Sequence, residues 1–371
     1  MHRYLLAFVS ACIASLAIAQ AQPILEQAGD FVASNFRFED GSTLDRLTLH
    51  YVTLGTLRRD ANGHVTNAVL LLHDTTGSSR TFLSAAMRRE LFAPGQPLDA
   101  VRYFTVIPDA IGHGASSKPS DGLRMAFPQY DDGDAVAAQY LLVTQGLGID
   151  HLRLVLGTTM GGSETWLWGE RHPRMMDALM PIASQPVAVA GRNGFWRQMI
   201  VTAIRRDPGW QDGRYTDPPL QWLRTMPVFT LMTGNPARMQ ERAPNADTAA
   251  WSYDVSVYSA RQYDANDVLY WFEASRGYDP EAALGSIEAP LFAVNFADDE
   301  TNPVALGVMQ RVMPRLAHGR FVEVPASERT WGASTIEHPE VWKPYLDDLL
   351  RSLPPEPNQP NQPMDSKRQQ E

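Results

Sequence analysis

Thiols are nearly missing from this 371-residue chain: its single cysteine is Cys12, inside the N-terminal apolar stretch. A chain shortened beyond that stretch carries no cysteine, which excludes disulfides and thiolate metal ligands even in an oxidising compartment. Lysine is also scarce. Lys118, Lys343 and Lys367 stand alone and arginine carries the remaining basic charge, a pattern read as codon bias. With a net charge of −10 and no basic block, the chain lacks the phosphate-neutralising surface of a nucleic-acid binder. Beyond the N-terminus no apolar run is long enough to span a membrane. There are no internal repeats and no metal-ligand cluster. Asp298, Asp299 and Glu300 are adjacent but lack convergent partners and read as a turn, so neither a metal nor a cofactor is implied.

Residues 1–21 read as a secretory signal: Arg3 gives a positive start, Leu5 to Ala19 is a short apolar run, and Ala17-Ile18-Ala19 and Ala19-Gln20-Ala21 are small-x-small cleavage sites. Val9-Ser10-Ala11-Cys12 resembles a lipobox, but too few apolar residues precede Cys12 and the apolar run continues past it. The expected compartment is periplasmic or secreted.

Further along, short apolar runs alternate with helical patterns. Strands are expected over Thr48–Thr56, Ala68–His73, Tyr103–Pro108, Leu152–Gly157, Ala178–Ile182, Leu291–Phe296 and Arg320–Pro325. Wholly apolar runs such as Ala68 to Leu72 suit strands covered on both faces. Helices are expected between them, as over Asp134–Leu147 and Gly161–Arg171, and the alternation predicts a doubly wound, mostly parallel α/β sheet. Residues 186–285 break the rhythm. They are rich in tryptophan, methionine and proline, with helical pieces at Phe195–Arg206 and Ala265–Ala274, and read as a helical cap inserted between two core segments, 22–185 and 286–353. The stretch 354–371 is rich in proline, glutamine and asparagine and is expected to be a disordered tail.

The most informative stretch is Leu152 to Trp168. An apolar strand runs into Gly157-Thr158-Thr159-Met160-Gly161, the layout of a G-x-S-x-G nucleophile elbow with threonine in place of serine. Together with Tyr51–Leu57, Asn67–Ser78, Leu98–Gly112 and Arg197–Tyr215, it makes the chain resemble the homoserine O-acetyltransferase-like branch of the α/β-hydrolase superfamily, from about Phe36 to Leu350. The resemblance implies an α/β-hydrolase fold of about eight strands. It also implies a catalytic serine, acid and histidine, in that chain order, at the sheet's C-terminal edge.

On the matching positions the resemblance places the nucleophile at Thr159 and the acid at Asp299, four residues before Pro303, with Asp298 as the fallback. The histidine position falls on Ala333 whether the loop is anchored at Pro325-Ala326-Ser327 or at Glu337-His338-Pro339. His338 lies five residues late, as a solvated or capping residue, and His113 is a loop histidine able to face the pocket. The oxyanion hole needs backbone N–H groups alone, and these fall on Thr75 and Met160. In the cap, Arg197 sits where the family holds a substrate carboxylate, a task that bidentate arginine suits; a surface arginine is the alternative. Threonine without a base is a weak nucleophile, and loss of triad members costs about 10⁴ to 10⁶ in turnover.

Three functions remain open: a catalytically degenerate protein binding a small acyl, ester or carboxylate ligand; an active esterase or acyltransferase using Thr159 or a rewired base; and a partner-binding protein with a vestigial pocket. The paired changes at Thr159 and Ala333 favour the first. Export argues against homoserine acetylation itself, because acetyl-CoA is cytosolic. The oligomeric state stays open, a dimer included.

Overall fold

The computed structural model describes residues 24–355. The expected signal and nearly all of the expected tail therefore lie outside the described residues. Eight strands form one sheet: β1 (Glu26–Arg37), β2 (Thr43–Leu54), β3 (Ala68–Leu72), β4 (Phe104–Pro108), β5 (Leu154–Thr158), β6 (Leu179–Ile182), β7 (Leu291–Phe296) and β8 (Gly319–Val324). Their spatial order is β1-β2-β4-β3-β5-β6-β7-β8. The strands from β4 to β8 run parallel, while β2 is antiparallel to both β1 and β4.

Seven of the eight strands coincide with expected apolar runs. The exception, β1, pairs with β2 alone at the sheet edge and leaves half its residues in solvent, so it has little apolar signal. For the same reason β2 begins at Thr43, five residues before the expected start. In the central strands the side chains divide by parity. Val69 and Leu71 join Leu154, Leu156 and Trp342 on one face, while Ala68, Leu70 and Leu72 join Val155, Trp166 and Trp168 on the other.

Helix α1 (Asp132–Leu141) continues as a wide turn to Gly146, and α2 (Met160–Arg171) follows β5. Helix α1 starts two residues before the expected Asp134 because Asp131 is the cap: its carboxylate accepts from the Asp134 amide at 2.9 Å, while Asp134 accepts from the Asp131 amide at 3.1 Å. Between β6 and β7 the chain adds α3 (Gly191–Arg205), three short helices, α4 (Ala246–Ala260) and α5 (Ala265–Ala274). These helices build their own apolar core around Trp196, Ile204, Trp222, Leu269 and Phe272. Helix α6 (Pro339–Ser352) packs Trp342 and Leu346 against the sheet.

Candidate active site

The sheet changes direction of travel at β3, with β4 on one side and β5 on the other. In open α/β sheets the crevice outside the strand C-termini at such a point is where ligands bind. A cavity of about 510 Å³ lies there, between the strand ends and the helices inserted after β6. Strand ends and the loops after them contribute Asp74 and Thr75, Thr159 and Ala333; the helical insertion contributes Trp196, Arg197, Trp271 and Ser275.

Thr159 is the single residue between β5 and α2, at φ 48° and ψ −103°. Positive φ on a β-branched residue is a true outlier. The turn is sharp enough to require its glycines. A Cβ on Gly157 would stand 1.9 Å from the Gly161 carbonyl oxygen, and one on Gly161 would stand 2.2 Å from that of Leu72. The Thr159 amide donates to the Ile182 carbonyl at 2.9 Å and the Gly161 amide to that of His73 at 3.0 Å, which pins the turn to β6 and β3. This is the backbone of a nucleophile elbow, and it aims the Thr159 side chain into the cavity. Among the described residues the amides of Thr75 and Met160, which also line the cavity, meet no hydrogen-bond acceptor.

Among the described residues no histidine hydrogen-bonds to the Thr159 hydroxyl. His113 is buried, with Nδ1 3.0 Å from the Ile111 carbonyl oxygen and Nε2 2.9 Å from that of Thr75. It stacks on Trp271 at 4.8 Å, and burial drives its pKa down to about 3. His73 holds its Nδ1–H against the Asp74 carbonyl at 2.7 Å and accepts the Ala110 amide at Nε2. His338 stacks on Trp331 and pairs with Glu340 at 3.5 Å; it precedes α6, yet its side chain makes no capping hydrogen bond. Ala333, at the cavity wall, offers only a methyl group.

Asp299 is buried at the end of β7. Its Oδ1 accepts from the Thr301 amide at 2.7 Å, the Thr301 hydroxyl at 2.6 Å and the Asn302 amide at 3.2 Å; its Oδ2 accepts only from Asn302 Nδ2, at 3.2 Å. Burial raises its pKa and these bonds pull it back. Asp298 is differently employed: Oδ2 accepts from Asn235 Nδ2 at 2.5 Å and from the Gly332 amide at 3.1 Å, tying the helical insertion to the Ala333 loop. Arg197, on α3, lines the cavity. Its Nε donates to Asn193 at 2.8 Å and one Nη to Ser275 at 3.0 Å, and its guanidinium lies over Trp196 and Phe272. Desolvation lowers its pKa to about 10.

Sequence reasoning missed two carboxylates of this cavity. Asp132, at the first position of α1, is buried and its pKa rises to about 7 through desolvation, with Arg197 opposing the shift. Glu337, next to the Ala333 loop, is raised by burial and by Asp74. In the sequence, Asp132 stands in an acidic helix start, where carboxylates ordinarily serve the helix dipole, so its burial gave no local signal.

This fold and elbow define an α/β hydrolase. A family model described as alpha/beta hydrolase fold matches residues 67–328, and the chain belongs to that family. Within it, the chain is 31% identical to a homoserine O-acetyltransferase of Moorella thermoacetica, over 85% of this chain and 94% of that protein. It is 28% identical to the homoserine O-acetyltransferase of Caulobacter vibrioides, over 85% of this chain and 92% of that protein. The structure of a homoserine O-acetyltransferase from Bacillus anthracis superposes with a TM-score of 0.76 at 19% identity, covering 88% of this chain and 98% of that one.

Proposed function

We propose that this protein is an exported, catalytically silent α/β hydrolase that binds a small acyl, ester or carboxylate ligand in the cavity above Thr159. The observation that carries this reading is the environment of the Thr159 hydroxyl: every nearby imidazole is engaged elsewhere, and a methyl group stands at Ala333. A hydroxyl without a base is a poor nucleophile at neutral pH. What is left is a binding site. The amides of Thr75 and Met160 can hold a carbonyl or carboxylate oxygen, and the Arg197 guanidinium supplies positive charge in a desolvated wall.

Fluorophosphonate labelling tests the silence directly, since it reports an activated hydroxyl whatever the substrate. The purified protein should remain unlabelled and hydrolyse activated acetyl esters no faster than Thr159→Ala. Strong labelling at Thr159 would overturn the proposal. The Glu337 carboxyl, raised by burial beside Ala333, favours one second reading, a rewired carboxylate base. On that reading labelling appears and is lost in Glu337→Gln.

A further inference from the structure

The helical insertion meets the body of the protein in two different ways. On one side α5 is held through buried side chains: the Tyr270 hydroxyl donates to the Phe127 carbonyl at 2.6 Å, Trp271 Nε1–H donates to that of Gly112 at 2.7 Å, and Asp267 accepts from the Ser120 hydroxyl at 2.6 Å. On the other side lies the last of the three short helices, Pro236–Arg242, in which no side chain is buried. A two-turn helix is not stable alone in water, so this one depends on what it is tied to. It is tied to Asp298 and to the loop before α6. Asn235, which caps the helix by accepting the Arg238 amide at 3.0 Å, donates from Nδ2 to Asp298 Oδ2 at 2.5 Å. The same oxygen accepts the Gly332 amide at 3.1 Å. The guanidinium carbons of Arg238 and Arg242 lie 4.7 and 5.0 Å from the centre of the Trp331 ring. Gly332 packs so closely that an added Cβ would stand 3.0 Å from the Thr233 carbonyl oxygen. Thr233 and Ala333, which flank these contacts in the chain, both line the cavity.

We propose that Pro236–Arg242 is a strap that gates the cavity: it lets go of Asp298 and Trp331 while α5 stays in place, and so parts the wall between Thr233 and Ala333. Asp298, one residue before the acid position, then serves as the clasp. Local opening takes the least free energy where few apolar contacts are lost. Releasing this helix uncovers no buried side chain of its own, whereas moving α5 would pull Leu269, Tyr270, Trp271 and Phe272 out of their packing. Two surface cation–π contacts are together worth about tenfold in an equilibrium, so the clasp is strong enough to hold the strap shut and weak enough to release it. The gate goes beyond the silent-site reading and does not depend on it, because it governs entry to the cavity whether or not chemistry follows.

The test places one thiol behind the strap and measures its exposure in the full chain. Cys12 is the only cysteine, so Ala333→Cys in a Cys12→Ala background gives a single thiol at a position that is 3% exposed and lines the cavity. Alkylation by iodoacetamide, a small neutral probe read by mass spectrometry, then tracks the opening equilibrium. Adding Arg238→Gln with Arg242→Gln should raise the alkylation rate about tenfold, and Asn235→Ala should raise it by its own separate tie. Arg205→Gln should leave it unchanged, because the Arg205–Glu273 pair joins α3 to α5 and does not touch the strap. Should Ala333→Cys not fold, Ser334→Cys, which also lines the cavity, replaces it. Amide exchange without any added cysteine is the second measurement: in the double arginine variant, residues 236–242 should exchange faster while α5 keeps its protection. An alkylation rate that is the same in all variants overturns the gate. Exchange that quickens equally in α5 overturns it too, because the insertion is then loosening as a whole.

Discussion

The Nε2 atom of His113 lies 2.9 Å from the carbonyl oxygen of Thr75, so this imidazole braces the loop that carries a cavity amide. Both ring nitrogens of His113 face carbonyl oxygens, and the neutral ring can donate to only one of them. Trp271 closes the other side: it stacks on the ring and donates Nε1–H to the Gly112 carbonyl at 2.7 Å. The helical insertion thus fixes His113 in a neutral, structural role.

That role has a pH signature. The folded-state pKa of His113 is lowered to about 3 from an ordinary 6.5. Between those values the unfolded chain binds a proton that the folded chain refuses, so this group's contribution is complete above about pH 6.5 and is lost as pH falls toward 3. In urea titrations His113→Phe, which cannot titrate, should lose less stability than wild type between pH 7 and pH 5. The slopes should differ by up to about 1.4 kcal/mol per pH unit. Equal slopes would mean that His113 takes up its proton as readily in the fold as in the unfolded chain.

Repair of the site is a second test. Asp299 Oδ1 is saturated by Thr301 and Asn302, but Oδ2 has a single partner at 3.2 Å and can accept an imidazole N–H. Thr159→Ser alone should stay inactive, because serine without a base is still weak. Thr159→Ser combined with Ala333→His should raise hydrolysis of activated acetyl esters at least about a hundredfold over background, a fraction of what an intact triad contributes. A double variant that remains inactive with its circular dichroism intact would show that Asp299 or the cavity amides are misplaced.

Much of the fold was legible in the sequence because the central strands are short, wholly apolar and covered on both faces, as at Ala68–Leu72. Edge strand β1 was not, because one half of it faces solvent and its register comes from β2. At the site, the elbow was legible from its glycines, whose spacing follows from a backbone so close that an added Cβ would stand less than 2.5 Å from it. Asp132 was not. It is buried at a cavity it shares with α3, a helix some sixty residues later in the chain, and no local pattern separates it from Asp131 and Asp134, which do cap α1.

The elbow itself stores strain. Thr159 holds φ 48°, where a branched Cβ meets the backbone and glycine meets nothing. Residues held in sparsely populated regions cost about 1–3 kcal/mol each. Thr159→Gly should therefore stabilise the protein by about 1 kcal/mol in urea denaturation, after the entropy that glycine adds to the unfolded chain. A destabilised Thr159→Gly would mean that the threonine methyl contributes packing that outweighs its strain.

Beneath the cavity, Glu164 is buried on α2, its Oε2 accepting from Gln139 Nε2 at 2.7 Å, while Gln139 Oε1 accepts from Trp168 Nε1 at 2.9 Å. Desolvation raises its pKa from 4.5 to about 8, with nearby Asp132 adding to the shift. Here the sign is opposite to that of His113: between pH 4.5 and 8 the folded chain holds a proton that the unfolded chain has released, so stability falls as pH rises through this window. Glu164→Gln keeps an acceptor for Gln139 and has no proton to lose. Wild type and variant should be close at pH 4.5, and the variant should gain on wild type by up to about 1.4 kcal/mol per unit as pH rises toward 8. Asp132 contributes a fall of the same sign in both proteins, and the difference between them reports Glu164 together with its coupling to Asp132. A variant that tracks wild type across the window would place an ionised Glu164 in the fold, with a counter-charge this reading does not contain.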